Sequence, residues 1–362
     1  MARALGPQEI EDIAVGAAVL GSGGGGDPFI GKLMALQAIE EYGPVRLVTP
    51  DELPPDGLVV PAAMMGAPTV AVEKLPNGEE IGRAFHALSA YLGREVVATL
   101  PIEAGGLNSM LPLALSARLG LPVLDLDGMG RAFPELQMLT FHLAGISATP
   151  MVLVDEKGNE SLLQTVDNVW TERLARALTV QMGGSVTIAI YPMTVAQAAA
   201  SGIHGTITLA ETLGRTLREG WHAGVPAIDA LVEAGNGIRL FTGKITDVLR
   251  RTTGGFVRGQ VTLEGLDACR QHTLTVAFQN ENLVALLDGQ VIASVPDLII
   301  VLDIETGLPV TTEALHYGLR AAVVAFPCAE QWRTPAGLEV VGPRYFGYDI
   351  EYQPVETVRL PW

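Results

Sequence analysis

A chain of 362 residues, 48% of them apolar, is long enough for two packed bodies and too apolar to be disordered. Its formal net charge of −17 excludes nucleic acid as a natural partner, because phosphate binding needs clustered Lys and Arg. Two cysteines, Cys269 and Cys328, exclude a disulfide framework and a thiolate metal site.

The start, MARALGPQEIEDIAVG, carries acids where a secretory signal would be apolar. The longest apolar stretch, VTIAIYPMTVAQAAASGI, is broken by Pro192, so no membrane span is expected and a cytoplasmic protein is. Pro7 opens a predicted helix over residues 8–20, with Ile10, Ile13, Ala17 and Leu20 near one face. GSGGGGDP follows, and Asp27-Pro28 reads as the cap and first position of a second helix to about Glu41. The runs VRLV, GLVVP, EVVATL and PVLDLD then read as strands, alternating with helical patterns such as EEIGRAFHALSAYLG. That alternation predicts an α/β sandwich with a mainly parallel sheet. MVLVDEKGNESLLQTV reads as a hairpin turning at Lys157-Gly158-Asn159, and helical segments recur around 168–182 and 205–221. From about Gly237 the character changes. KITDV, GFVRGQVTL, TLTVAF, NLVALL, DLIIVL and AAVVAF are short β-rich runs spaced as in a small barrel or sandwich. The expected division is residues 1–170 as an α/β domain and 171–362 as a helical connection followed by a mainly-β, barrel-like domain.

Gly21, Gly23 and Gly26 satisfy G-x-G-x-x-G, but a dinucleotide loop must follow a strand and this one follows a helix. A glycine loop entering a helix offers free N–H groups and a positive helix end, which can hold a carboxylate. Gly23, Gly24, Gly25, Gly26 and Asp27 are therefore candidate substrate contacts, with a tight helix–loop–helix turn as the alternative.

The densest chemistry lies in PIEAGGLNSM and LDLDGMGRAFPELQM. Glu103 follows the EVVATL strand, and Asp125 and Asp127 end PVLDLD, so all fall where α/β sheets bind ligands. Gly105, Gly106 and Gly128 permit close backbone approach, and Asn108, Arg131 and Glu135 supply a neutral amide, a cation and a further acid. Clustered carboxyls raise one another's pKa, so one can serve as acid while another serves as base. The alternative is that each acid merely caps a turn or helix. Glu103, Asp125 and Asp127 also form a candidate oxygen set for a divalent metal, although no HxxxH or HxH spacing supports one. No other cofactor is expected. His204, between glycines at a helix start, is the histidine best placed for chemistry; His86 and His142 read as structural, and Cys328 as buried.

Six strings, GSGGGGDP, EAGGLN, GLPVLDLDGMGRAFPELQM, PDLIIVLDIETG, YGLRAAVVAFPC and GPRYFGYD, together resemble the family catalogued as domain of unknown function 917, the S-methyl thiohydantoin desulfurase family. The resemblance spans nearly the whole chain. It implies an N-terminal α/β domain, a C-terminal barrel-like domain, and hydrolysis of a thiohydantoin-type carbon–sulfur bond to a hydantoin and a thiol. It also implies association with hydantoinase- or oxoprolinase-type enzymes.

Such hydrolysis needs a base for water, a proton donor, and dipoles for developing charge. Glu103 or Asp127 is the expected base, the other carboxyl or Glu135 the acid, and Asn108 and Arg131 the groups that orient the ring. The glycine loop would hold an acidic tail of the substrate. Two alternatives stay open: another cyclic-amide or imidazolone hydrolase, and a non-catalytic partner of a hydantoinase. A homo-oligomer of unspecified number is expected.

Overall fold

The computed structural model describes residues 2–66, 70, 78–223, 226–253 and 256–362. Gly255, first residue of the expected run GFVRGQVTL, lies outside the described residues.

Among the described residues, nine strands form the first sheet, ordered β1 (Arg3–Leu5), β2 (Val45–Val48), β5 (Val123–Leu124), β4 (Val96–Leu100), β3 (Leu58–Gly66), β9 (Ser185–Ala189), β7 (Met151–Val154) and β8 (Glu160–Leu163), with β10 (Met193–Thr194) also on β3. Its centre, β2-β5-β4-β3, is parallel. These are the apolar runs read as strands, and helices complete the crossovers that parallel pairing requires. Beyond β3 the sheet continues antiparallel through β9, β7 and β8. The β7–β8 hairpin is the one expected from its turn residues. β9 and β10 lie beyond residue 170 yet belong to this first sheet, so the sheets change at Ile238.

Helices α1 (Pro7–Leu20), α2 (Pro28–Tyr42), α3 (Glu80–Leu92) and α4 (Gly106–Leu119) cover the sheet. Asp27 caps α2 as its sequence suggests, accepting the Phe29 N–H at 2.8 Å. Ile10, Ile13, Ala17 and Leu20 of α1 and Ile81, Phe85 and Leu88 of α3 are buried, as the spacing requires. Of three later helices, α5 (Thr140–Leu143), α6 (Asn168–Gln181) and α7 (Val195–Ser201), α6 reaches the site below; α8 (Thr206–Ala223) and α9 (Ala227–Ala234) lead to the second sheet.

PVLDLD is not one strand. β5 stops at Leu124, and Leu126–Asp127 forms a separate short strand, β6, paired with β11 (Ile203–His204). The second sheet is fully antiparallel and curls as a half-barrel in the order β16 (Gln290–Ser294), β15 (Glu281–Leu287), β14 (Thr273–Gln279), β13 (Phe256–Gly265), β12 (Ile238–Thr253), β18 (Arg320–Phe326), β17 (Leu298–Asp303). It has its own apolar core, with Phe241, Val261, Val276, Phe278 and Val323 buried among others.

The glycine run joins the two sheets. Ser22, in the left-handed region at φ 52°, donates its hydroxyl to the Ile299 carbonyl at 2.8 Å and accepts the Ile299 N–H at 2.9 Å. The Ser22 carbonyl accepts from Asn282 N–H at 2.8 Å, and the Gly23 carbonyl from Thr312 N–H at 2.9 Å. Among the described residues no helix is long and apolar enough to cross a membrane.

Candidate active site

A cleft with about 660 Å³ of free space, counting its open mouth, lies where the carboxyl ends of β3 and β4 meet the glycine run and the β14–β15 turn. Apolar walls come from Met64, Met65, Ile102, Met129, Phe133 and Ile188, and charged or amide groups from Glu103, Asn108, Glu135, Arg176, Asn280 and Glu281. Convergent polar groups within an apolar cleft are the usual form of a small-molecule site.

Glu103 is the best-defended group in it. It follows β4, as expected, and is only 5% exposed. Asn108, on the first turn of α4, donates to its Oε1 at 2.7 Å. The same Asn108 is clamped to β3, accepting from Met64 N–H at 2.8 Å and donating to the Met64 carbonyl at 3.2 Å. The amide is thus oriented by the strand before any ligand arrives. Burial pushes the Glu103 carboxyl up to about 7, against the bonds from Asn108 and Phe133 and the charge of Arg131, which lower it.

Other expected members stand elsewhere. Asp127 is fully buried, but its carboxylate turns back on its own loop and accepts the Met129 N–H at 3.2 Å and the Gly130 N–H at 2.9 Å. It shapes the loop that presents Met129 and does not line the cleft. Burial pushes its carboxyl up to about 7 as well. Arg131 is also fully buried and donates to four main-chain carbonyls: Ala132 at 3.0 Å, Pro296 at 2.9 Å, Asp297 at 2.7 Å and Asn282 at 3.3 Å. Its fork tethers the loop after β6 to the second sheet, which leaves it off the cleft wall. Burial pulls its pKa down to about 10.

Asp125, in the break between β5 and β6, caps α8. Its Oδ1 accepts Ile207 N–H at 3.0 Å and Thr208 N–H at 3.1 Å, and Oδ2 accepts the Thr208 hydroxyl. With these oxygens committed, Glu103, Asp125 and Asp127 do not form the oxygen set proposed for a metal. Among the described residues, no cluster of three or more His, Cys, Asp or Glu side chains could hold a metal ion. Asp125→Ala is expected to cost about 0.5–2 kcal/mol of stability, the range for a lost helix cap, while catalysis per folded molecule stays unchanged. A urea melt alongside a turnover assay checks both halves.

His204 is exposed on β11, its Nε2 2.7 Å from the Ala199 carbonyl, and is not among the residues that line the cleft. Gly128 is packed under Leu139 and Phe141, which a side chain at this position would strike. Glu135 does line the rim. Its Oε2 accepts the Tyr345 hydroxyl at 2.7 Å and Gln137 Nε2 at 2.5 Å, so the C-terminal segment closes one edge.

The four glycines divide by task. Gly25 and Gly26 line the cleft, whereas Gly23 and Gly24 face the second sheet. A Cβ on Gly25 would stand 2.4 Å from the Gly105 Cα, and Gly25 has φ +73°, so both sterics and backbone require glycine there. The Gly25 carbonyl also accepts Leu107 N–H at 2.9 Å, pinning the loop to the start of α4. The pair Gly105-Gly106 thus makes way for the other glycine loop. Gly25→Val would distort this backbone crossing whether or not a ligand touches it.

Glu281, Asn280 and Arg176 were not anticipated. The signal for Glu281 and Asn280 is the polar string QNEN between two apolar strand runs: Gln279 to Asn282 are all buried, although a hairpin turn normally faces water. Arg176, on α6, bonds Glu172 at 2.7 Å and the Pro134 carbonyl at 2.9 Å, with its Cζ 4.6 Å from the Phe256 ring centre.

The raised carboxyls set the pH dependence of stability. The folded state keeps protons on Glu103 that the unfolded chain releases above its ordinary carboxyl pKa of 4.5. Their contribution therefore favours folding below about pH 4.5 and fades as pH rises through about 7. Glu103→Gln is expected to gain stability relative to the parent over this interval, by a few kcal/mol at most. Paired urea melts from acid to neutral pH measure it; a constant difference between the two proteins would contradict the assignment.

Fold and cleft define a two-sheet α/β protein with buried carboxyl groups at the junction of its sheets. The S-Me-THD-like N-terminal domain model matches residues 8–165 and the S-Me-THD-like C-terminal domain model matches residues 166–355. The chain belongs to this family, the S-methyl thiohydantoin desulfurase family that its motifs resemble. An X-ray structure of a protein from Chromobacterium violaceum is similar to it, at 27% identity and a TM-score of 0.80, covering 98% of this chain and 100% of that one. No curated protein matches the chain.

Proposed function

We propose that this protein hydrolyses the carbon–sulfur bond of an S-methylated thiohydantoin-type ring, releasing methanethiol and a hydantoin. The observation that carries the reading is Glu103, a buried carboxyl at a strand end, oriented by a clamped amide and opening on a cleft. A carboxyl held near 7 is matched to proton transfer at neutral pH. Family membership supplies the ring and the sulfur.

The methionine-rich wall of Met64, Met65 and Met129 suits a methylthio group, since thioethers are polarizable and adaptable. Arg176 is the cation on the cleft wall, and takes the role first given to the glycine loop for any acidic ring substituent. Glu103 and Glu281 line an open cleft and, among the described residues, neither forms a salt bridge with a cation, which favours an enzyme over a non-catalytic hydantoinase partner. The test is release of thiol, followed with a chromogenic disulfide reagent, from S-methylated rings bearing acidic or neutral side chains. Ring hydrolysis of sulfur-free analogues with no thiol from any S-methylated ring would move the reading to a general cyclic-amide hydrolase.

A further inference from the structure

The buried turn Gln279–Asn282 is mostly accounted for by its own hydrogen bonds. Asn280 Oδ1 accepts Val257 N–H at 2.8 Å, and Asn282 Nδ2 donates to the Ile299 carbonyl at 2.8 Å. Among the described residues, two of the turn's side-chain oxygens, Asn282 Oδ1 and Glu281 Oε2, are buried with no hydrogen-bond partner. Of the two residues it is Glu281, 2% exposed, that lines the cleft. An orphaned buried carboxyl oxygen is costly, so its place there needs a reason.

The glycine run makes room for it. A Cβ on Gly24 would stand 2.1 Å from Glu281 Oε1, so only glycine lets this side chain reach the cleft from the second sheet. Next along the loop, Gly25 crosses Gly105, and a Cβ on Gly105 would stand 3.1 Å from Glu103 Oε1. Two acids on different sheets are thus brought to one cleft across a floor of glycines. They are not equivalent: Glu103 receives a hydrogen bond from Asn108, and among the described residues Glu281 Oε2 receives none.

We infer that Glu281 is the second catalytic carboxyl, sharing a single proton with Glu103 and holding it in the resting enzyme as the general acid. The chemistry assigned to the pair rests on the desulfurase reading. Burial and then the charge of Glu103 push the Glu281 carboxyl up, while Arg131 and Arg176 lower it. Glu135 shares the cleft but is engaged by Tyr345 and Gln137 at the rim.

In the attack, the water oxygen bonds to the ring carbon as Glu103 takes its proton. The carbon–nitrogen π pair moves onto nitrogen, which takes the Glu281 proton. In the collapse, the new hydroxyl returns a proton to Glu281 and becomes the carbonyl. The carbon–sulfur bond breaks with its electron pair on sulfur, and Glu103 gives its proton to that sulfur. One ring and one water become one hydantoin and one methanethiol, and the pair regains its single proton.

Two measurements test this. Infrared titration of the ligand-free protein is expected to show a protonated buried carboxyl slightly above neutral pH that is absent in Glu281→Gln. In the same variant the Glu103 titration midpoint is expected to rise, because the neutral acid that shares its proton with the ionised Glu103 has gone. An unchanged carboxyl band and midpoint in Glu281→Gln would overturn the pair. In the thiol-release assay, Glu281→Gln is expected to lower kcat about 100-fold or more and to remove the alkaline limb of the pH–rate profile. Retention of kcat within about threefold would also overturn it, and leave the desulfurase reading standing. The infrared signature without thiol from any S-methylated ring would do the reverse. Gly24→Ala, whose methyl contests the Oε1 position, displaces the carboxyl without removing it. It is expected to lower kcat and shift the alkaline limb, and serves if Glu281→Gln does not fold.

Discussion

Glu103→Gln is expected to lower kcat for thiol release about 10²- to 10⁴-fold, the range for removing a positioned acid–base group, with little change in KM. Gln is nearly the shape of Glu and can still meet Asn108, so the cleft and its walls persist while the exchangeable proton is lost. In the parent, the acid limb of the pH–rate profile is expected to rise toward about pH 7, where burial places the Glu103 carboxyl, because the base acts only when ionised. The variant loses that limb. A variant that kept its acid limb and most of its kcat would remove Glu103 from the chemistry. Asp127→Asn offers the contrast: its carboxylate serves its own loop, so it is expected to lower stability more than kcat.

Arg131→Met is expected to cost about 3–5 kcal/mol of stability, the range for breaking a buried ionic arrangement at one partner. The loss has two sources. Four buried carbonyls from Ala132, Asn282, Pro296 and Asp297 would lose their donor. Glu281, Asp297 and Glu103 would lose the attraction of a buried positive charge, and the guanidinium 4.7 Å from the Phe133 ring centre would be gone. The denaturation midpoint, with the slope against denaturant checked for loss of cooperativity between the sheets, measures this. Parental stability with a large loss of kcat would instead restore the ring-orienting role that its motif suggests.

The sequence placed Glu103 after an apolar strand run, where the structure has it at the end of β4, and offered Asn108 in the same string as a neutral amide. The first rule is local. Asp125 illustrates where a local rule stops: an acid ending a strand-like string is equally suited to a ligand or to the next helix, and the chain resumes at Thr206 beside it. Arg131 and His204 were placed near the chemistry in sequence, but burial turned one toward carbonyls of the second sheet and strand pairing turned the other outward.

Composition, periodicity and turn residues by themselves determined the alternation of strands and helices, the β-rich second half, the cap at Asp27 and the carboxyl at the end of β4. Each of these follows from interactions within a few residues or one amphipathic face. Only the tertiary structure decided that β9 and β10 extend the first sheet, that four glycines serve as a joint between sheets, and that Glu281 meets Glu103 in one cleft. Those depend on contacts between segments as much as 289 residues apart, such as the Gly23 carbonyl with the Thr312 N–H. No local preference encodes such pairings; they are set by which buried surfaces, once formed, can close on each other without leaving polar groups unmet.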